Sequence, residues 1–324
     1  MGTKEKIIAL LEENRDRYFS GEAIAQLLGV SRAAVWKAVK NLEVQGYPID
    51  AVSNRGYRLA SDCDILSAQG ISSHLTSQLW KIHTVDALES TNCQVRTLAS
   101  KGEAEGYVLA ANTQTDGRGR MGRQFFSPKD TGIYFSLLLR PRDLAPDQVM
   151  QLTTMAAAAI CQAIAQLTGT APQIKWVNDL LLNGRKVCGI LTEASFNLES
   201  GSADYAVVGL GINLYPPRSG FPQDISETAG YLCDARQPDL KNRLIARFLD
   251  LFSEYYVRKD FSGAARVYRD ASLLVGKQVL VLQNDTRRQA EVLDITPRCQ
   301  LLVRYENGDI RPLSYGEVQI VNHL

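Results

Sequence analysis

Gly117-Arg118-Gly119-Arg120-Met121-Gly122-Arg123 alternates backbone freedom with fixed positive charge, and it stands between two apolar runs. Tyr107-Val108-Leu109-Ala110-Ala111 precedes it and Gly132-Ile133-Tyr134-Phe135-Ser136-Leu137-Leu138-Leu139 follows, and both read as strands. A Gly/Arg run by itself reads equally well as a solvated RNA-binding tail. A short, single run between two strands is instead a loop on a folded core. Its glycines let backbone N–H groups approach a ligand and its guanidiniums offer planar donors, a combination suited to closing over phosphate or carboxylate. Asp116 gives the loop a polar entry, and Phe125-Phe126-Ser127-Pro128 an apolar anchor.

Outward from the loop, strands and helices follow in mixed order. A helix is expected from about Asn92 to Lys101 and a long Ala/Met-rich one from Asp147 to Leu167, apolar nearly all round and so destined to pack on a sheet. Ile174 to Leu182 and Lys186 to Glu193 form an expected hairpin, with Asn183-Gly184 supplying the positive φ values of its turn. Tyr205 to Leu214 reads as a strand and Leu240 to Arg258 as a helix. This order predicts an α+β core with a mixed, largely antiparallel sheet. From Gly276 on, five short strands separated by turns such as Asn307-Gly308-Asp309 predict a small β-barrel of SH3-like size.

At the other end, Ile7, Ile8, Leu10 and Leu11 recur at helical spacing, and Ser20-Gly21-Glu22 opens a second helix that Gly29 stops. Ser31 caps a third, Arg32 to Val44, with Val35, Val39 and Leu42 facing inward. Ile49 to Val52 and Tyr57 to Leu59 then flank Ser53-Asn54-Arg55-Gly56 as a hairpin wing. The whole predicts a winged helix-turn-helix. Arg32, Ala33, Trp36, Lys37 and Lys40 remain for the outer face of the third helix, and the wing adds Arg55; together with Ser31 these are the candidate DNA contacts. The alternative is a helical hairpin that packs on the rest of the chain with Trp36 as its anchor. Ser61-Asp62-Cys63-Asp64 reads as a linker, and composition changes again near Ala271-Ser272, giving expected domains 1–62, 63–271 and 272–324.

Composition excludes several classes. With 324 residues and 45% apolar content the chain builds a substantial core. No run reaches the roughly 18 to 20 apolar residues of a membrane span, and the start lacks a signal-peptide core, so a cytoplasmic location without membrane attachment is expected. Six scattered cysteines without a C-x-x-C pair argue against zinc or a disulfide framework and read as buried thiols. Three histidines, His74, His83 and His323, leave little for His-based catalysis. A net charge of +1 gives no global basic field, so nucleic-acid contact must be local.

Ser90-Thr91-Asn92, Gln114, the Gly/Arg loop, Lys175-Trp176-Val177-Asn178-Asp179, Arg185-Lys186-Val187-Cys188-Gly189-Ile190-Leu191 and Gly209-Leu210-Gly211-Ile212-Asn213, in this order, resemble the biotin protein ligases. With a DNA-reading module in front, the resemblance is to the bifunctional bacterial type that is both biotin operon repressor and biotin–[acetyl-CoA-carboxylase] ligase. It covers essentially the whole chain. It implies biotin and ATP as substrates, with Mg2+ accompanying ATP, and biotinyl-5'-AMP as intermediate. It implies as partners the biotin carboxyl carrier protein, an inverted-repeat operator and, with adenylate bound, a second copy of the chain.

By this resemblance Lys186 contacts biotin and the α-phosphate and is catalytic, with Arg118 and Arg120. Ser90, Thr91, Asn92 and Gln114 surround biotin, and Arg118, Gly119 and Arg120 fold over the adenylate. Carboxylate activation joins two anions, so cations and N–H donors at the α-phosphate are what the chemistry needs. Gly209 and Gly211 permit close approach either of biotin or of a neighbouring helix. Lys175, Asn178, Asp179 and Asn213 are candidates for the nucleotide phosphates, Asp179 either orienting Lys186 or standing near Mg2+; adenine contacts are sought between Asn213 and Ala229. Trp176 reads equally well as a core aromatic. Two departures from the repressor-type pattern stand out, Met121 for an arginine and Val177 for a proline. Rival readings are a transcription factor with a degenerate ligand domain and a lipoate-type ligase; a polynucleotide ligase is excluded by the lack of a K-x-D-G motif.

Overall fold

The computed structural model describes residues 2–44, 46–141, 149–196, 203–283, 286–314 and 316–321. Met1, His323 and the first two residues of the expected Asp147–Leu167 helix lie outside the described residues. The chain divides into two compact units, Met1–Thr76 with Ala235–Arg247, and Ser77–Asp234 with Phe248–Leu324.

In the first unit, α1 (Thr3–Glu13), α2 (Gly21–Leu28) and α3 (Arg32–Val44) precede the antiparallel pair β1 (Ile49–Val52) and β2 (Gly56–Leu59). The caps are those the sequence calls for. Ser20 Oγ accepts from Ala23 N–H, Ser31 Oγ accepts from Ala34 N–H, and Gly29 takes φ 64° where α2 ends. Ile7, Leu11, Ile24, Val35, Val39, Leu42 and Leu59 are fully or almost fully buried together, each contributing roughly 1.5–3 kcal/mol of burial.

Of the expected linker only Ser61 and Asp62 are exposed. Cys63 joins the core, and Asp64 Oδ1 accepts from Lys241 N–H at 2.8 Å. Helix α4 (Ala68–His74), which carries no apolar period in the sequence, follows. A buried polar cluster ties the unit's distant segments together. The Arg15 guanidinium donates to Glu12, to the Cys63 carbonyl at 2.8 Å and to Asp239 at 2.7 Å. Asn242 accepts from Ser67 N–H at 3.0 Å and donates to Asp239 at 2.8 Å, while His74 Nε2 lies 2.5 Å from Asp239. Burial holds the Glu12 carboxyl above its usual range even with Arg15 beside it.

The second unit is built on a seven-stranded sheet in the order β3-β4-β5-β9-β8-β7-β6. Its strands are β3 (Lys81–Leu88), β4 (Tyr107–Gln114), β5 (Gly132–Leu139), β6 (Gln173–Lys175), β7 (Asp179–Leu182), β8 (Arg185–Phe196) and β9 (Ala203–Asn213). Only β3 and β4 run parallel, joined through α5 (Thr91–Ser100); every other pair is antiparallel. Helix α6 (Val149–Thr168) packs against the sheet, and Thr153 on it meets Thr192 of β8 at 2.7 Å. The neighbouring Glu193 points instead to Asn92 and Arg96 of α5, so the two helices cover opposite faces. By length and composition α6 would pass as a membrane span, closer than the sequence reading allowed; 67% of its apolar window is buried, as in a core helix.

One strand differs from expectation, and another has no signal in the sequence. Ile174–Leu182 is not one strand: the chain reverses at Trp176-Val177-Asn178, and β6 pairs back on β7 with Lys175 opposite Asp179. Tertiary bonds hold the reversal, from the Trp176 indole to the Cys299 carbonyl at 3.2 Å and from the Tyr268 hydroxyl to the Val177 carbonyl at 3.0 Å. Strand β3, half exposed along the sheet edge, lacks the apolar run that marks the inner strands, so the sequence carries no strand signal there. Helix α7 (Leu240–Arg258) falls where expected; its residues up to Arg247 belong to the first unit. Helix α8 (Phe261–Asp270), capped by Asp260, follows it. Strands β10 (Gln278–Gln283), β11 (Thr286–Ile295), β12 (Leu301–Tyr305), β13 (Ile310–Leu313) and β14 (Glu317–Ile320) form an antiparallel sheet in the order β13-β12-β11-β10-β14.

Candidate active site

The sheet register builds the floor of a cleft in the second unit. Gly209 of β9 lies between Ser136 of β5 and Leu191 of β8, and one row on, Gly211 lies between Tyr134 and Gly189. Residues paired across strands share a face, so the glycines open a trough in it. Asn92 at the start of α5 fills the space over Gly209, where a Cβ would overlap its side-chain oxygen. The Phe125 ring covers Gly211, where a Cβ would come within 2.5 Å of it. Close approach is thus required at both glycines by neighbouring protein groups, one from a helix and one from the Gly/Arg loop.

The lining combines neutral hydrogen-bonding groups with cations. Ser90, Thr91, Asn92, Gln114 and Asn178 supply the first, Arg118, Arg120 and Lys186 the second, and Gly119 lies among them. Ser90 occupies the cap position of α5, yet its hydroxyl makes no capping bond. Gln114 Oε1 accepts from Thr91 N–H at 2.8 Å, which serves the helix start in its place.

The loop is a small hairpin, not an open coil. Gly119 N–H donates to the Arg123 carbonyl at 2.7 Å and Phe125 N–H to the Gly117 carbonyl at 2.8 Å. Met121 and Gly122, at φ 55° and 73°, turn its tip, and Met121 is exposed. Arg120 donates to Asn178 Oδ1 at 3.1 Å, Arg118 lies 3.5 Å from Asp116, and Arg123 reaches Glu317 of β14 at 2.7 Å. Asn178 in turn donates to the Ile190 carbonyl at 2.9 Å, which fixes the Trp176–Asn178 turn against β8. Lys186 lies 2.6 Å from Asp179 and 5.9 Å from the Phe125 ring centroid. Its backbone pairs with Ala229 through bonds to Thr228 and Gly230, which brings the segment after Asn213 alongside it.

Every residue expected around biotin therefore lines one cleft. Of the four phosphate candidates only Asn178 does so: Asp179 reaches the site through Lys186, Lys175 lies on β6 away from the lining, and Asn213 spends its amide on the Gly230 carbonyl at 2.9 Å. Sequence reading missed Ser136, Ser127, Glu193 and Arg96, which bind the cleft residues from behind. Ser136 carried a signal, as the one aliphatic hydroxyl in the apolar run of β5. Five of the six cysteines are buried, Cys93 being half-buried, and burial pushes Cys161 up to about 11. No cluster of three metal-ligating side chains occurs among the described residues.

In the first unit, Arg32, Ala33, Trp36, Lys37 and Lys40 share the exposed face of α3, with Trp36 58% accessible. Lys40 pairs with Glu43 at 2.6 Å, and the Arg55 guanidinium lies over the Tyr18 ring at 4.8 Å. Ser31 uses its hydroxyl as the helix cap, leaving it a smaller part in any contact.

Comparison with known proteins agrees with both units. The Biotin/lipoate A/B protein ligase family matches residues 85–213, and an HTH domain matches residues 3–58. The bifunctional ligase/repressor BirA of Bacillus spizizenii is 36% identical over 323 residues, 98% of each chain. That of Bacillus subtilis is 36% identical over 234 residues, 72% of this chain and 71% of the relative. A structure of the biotin protein ligase from Aquifex aeolicus in complex with biotin and ATP superposes with a TM-score of 0.59 at 24% identity, covering 75% of this chain and 99% of that one, a likeness of fold. With a relative matched from end to end and a helix-turn-helix joined to a ligase core, the chain belongs to the bifunctional ligase/repressor family of biotin protein ligases.

Proposed function

We propose that the chain activates biotin with ATP and transfers it to one lysine of the biotin carboxyl carrier protein of acetyl-CoA carboxylase. A biotin carboxylate oxygen attacks the α-phosphorus, the bond to pyrophosphate breaks, and biotinyl-5'-AMP remains. The carrier lysine's neutral ε-amine then attacks the acyl carbon, AMP leaves, and an amide is formed. Thr91, Asn92 and Gln114 hold the ureido ring, Ser90 lies beside them, and Gly209 and Gly211 let Asn92 and Phe125 sit close on the floor of the cleft. Lys186, oriented by Asp179, neutralises charge building at the α-phosphate. Arg118 and Arg120 clamp the phosphate, with Gly119 letting the backbone close in, and Lys175, Asn178 and Asn213 serve the nucleotide side. Mg2+ would accompany the nucleotide phosphates, and Asp179 is a carboxylate that could stand near it. A single observation carries the reading, the meeting of neutral hydrogen-bonding groups and three cations around one cleft.

On the DNA side, the exposed face of α3 and the Arg55 wing read an inverted-repeat operator of biotin-synthesis genes, with biotinyl-5'-AMP as corepressor. Adenylate orders the Gly117–Arg123 loop, a homodimer forms, and two half-sites gain through effective concentration. Residues 1–62 serve DNA binding, 63–271 catalysis, and 272–324 form a C-terminal SH3-like barrel; the enzyme works in the cytoplasm. The test is pyrophosphate release on mixing ATP with biotin, followed by sedimentation of the product complex at several concentrations. Release dependent on biotin and indifferent to lipoate is expected, with a dimer constant that tightens with adenylate. Release with lipoate alone would overturn the assignment, and a dimer constant indifferent to adenylate would remove the switch.

A further inference from the structure

Behind the cleft wall three oxygen–oxygen contacts run in series. Gln114 Oε1 lies 3.1 Å from Thr91 Oγ1, Thr91 Oγ1 lies 2.7 Å from Ser136 Oγ, and Ser136 Oγ lies 2.6 Å from Asn92 Oδ1. Both amide ends are fixed by what lies beyond them. Asn92 Nδ2 donates to the Leu191 carbonyl at 3.2 Å and to the Glu193 carboxylate at 3.0 Å; turned over, the amide would face two acceptors with an acceptor. Arg96 holds that carboxylate at 2.9 Å. At the other end, Gln114 Oε1 takes Thr91 N–H and Gln114 Nε2 donates to Ser127 Oγ at 3.0 Å, so this amide is locked as well. Both terminal oxygens are acceptors only, and the two hydroxyls supply two protons for three contacts.

Energy decides which contact goes without. Ser136, Asn92 and Thr91 are all buried, and an unmet buried acceptor is costly; Gln114 Oε1 already takes Thr91 N–H, whereas the donor facing Asn92 Oδ1 is Ser136. Ser136 therefore donates to Asn92 and Thr91 to Ser136. The missing proton falls in the longest of the three contacts, between Thr91 and Gln114, which line the cleft where a ligand can supply it.

We propose that Ser136 and Glu193 are positioning residues that hold Thr91 and Gln114 as paired acceptors in the cleft, so that the site selects a ligand offering an N–H there, as the ureido ring of biotin does. The inference rests on the biotin reading above. Neither residue touches the ligand: Ser136 acts through Thr91 and Asn92, and Glu193 through Asn92.

Calorimetry on the full chain with biotin and with biotin methylated on its ureido nitrogens tests it, using Ser136→Ala and Glu193→Gln. In Ser136→Ala the Thr91 proton turns to Gln114 and closes the gap. Biotin affinity should fall about 10- to 100-fold. The penalty for N-methylation, whose steric part is common to all the proteins, should shrink by about 10-fold in the same comparison. The KM for ATP should stay within about twofold and kcat within about threefold, since nothing at the phosphate has changed. Glu193→Gln, half-exposed and so no threat to folding, lets the Asn92 amide turn and should move the same ratio in the same direction by a smaller factor. If Ser136→Ala does not fold, Glu193→Gln carries the test alone. A methylation penalty equal to wild type in the folded variants overturns the positioning role and leaves the ligase reading standing. A wild-type chain that binds no biotin overturns both.

Discussion

Replacing Lys186 with methionine removes an ammonium 2.6 Å from Asp179 while keeping most of the side-chain volume. The pair is partly solvated, with 36% and 26% of the two side chains accessible, so its loss should cost the fold only about 0–1 kcal/mol. Catalysis is another matter. Charge develops on the α-phosphate oxygens only in the transition state, and loss of one preorganised electrostatic stabiliser costs about 100-fold or more, roughly 2.7 kcal/mol. Two unit charges about 4 Å apart at an effective dielectric of 20 interact by about 4 kcal/mol, so one cation is sufficient for that effect. Pyrophosphate release under saturating biotin and ATP measures the loss, and a thermal melt controls for folding. Lys186→Met should drop kcat by about two decades with a near-native melt. Asp179→Asn keeps a hydrogen-bonding partner for the ammonium and should lose less, about 10-fold. Release by Lys186→Met within about threefold of wild type, in a protein with a native melt, would refute Lys186 as the catalytic cation.

Gly209→Ala should displace Asn92, because the added Cβ overlaps its side-chain oxygen; biotin affinity, measured by calorimetry, should fall about 10-fold or more, and unchanged affinity would mean Asn92 does not shape the subsite. Trp36→Ala and Lys37→Ala, both on the exposed face of α3, should weaken operator binding without changing adenylate synthesis, the lysine change also reducing the salt slope by about one; an unaffected footprint would remove α3 from the DNA contact. Removal of residues 1–62 should abolish operator binding and leave adenylate synthesis, with a lower thermal midpoint because Asp239 loses Arg15; a folded truncation without adenylate synthesis would refute this division of labour. Burial raises Cys63 from 9.0 to about 11 and Tyr47 from 10.0 to about 12. Both groups stay neutral in the fold, so their contribution is complete below the unfolded values and is lost as pH climbs through the folded ones. Each shift corresponds to about 2–3 kcal/mol, and chemical denaturation between pH 9 and 12 should show the fall, its onset moving up in Cys63→Ala; a flat profile would contradict the burial argument.

Local chemistry dictated much of this molecule from the sequence alone. The caps at Ser20, Ser31 and Gly29, the inward stripe of α3, the Asn183-Gly184 turn and the apolar strands flanking the Gly/Arg loop depend on neighbours a few residues away, and such signals survive in one dimension. The residue types of the cleft were likewise visible in order along the chain. What the tertiary structure decided involves partners far apart. Trp176–Asn178 folds back because Cys299, Tyr268 and Ile190 hold it, the first of these 123 residues away. Cys63 and Asp64 are core residues, not linker, because residues 239–242 close over them. Gly209 and Gly211 need to be glycine because a helix terminus and a loop ring rest on them. Ser136 and Glu193 acquire roles only when the sheet register lines them up with Thr91 and Asn92. Periodicity shows which face a residue takes; which atoms meet across that face depends on register and long-range packing, which no local pattern encodes.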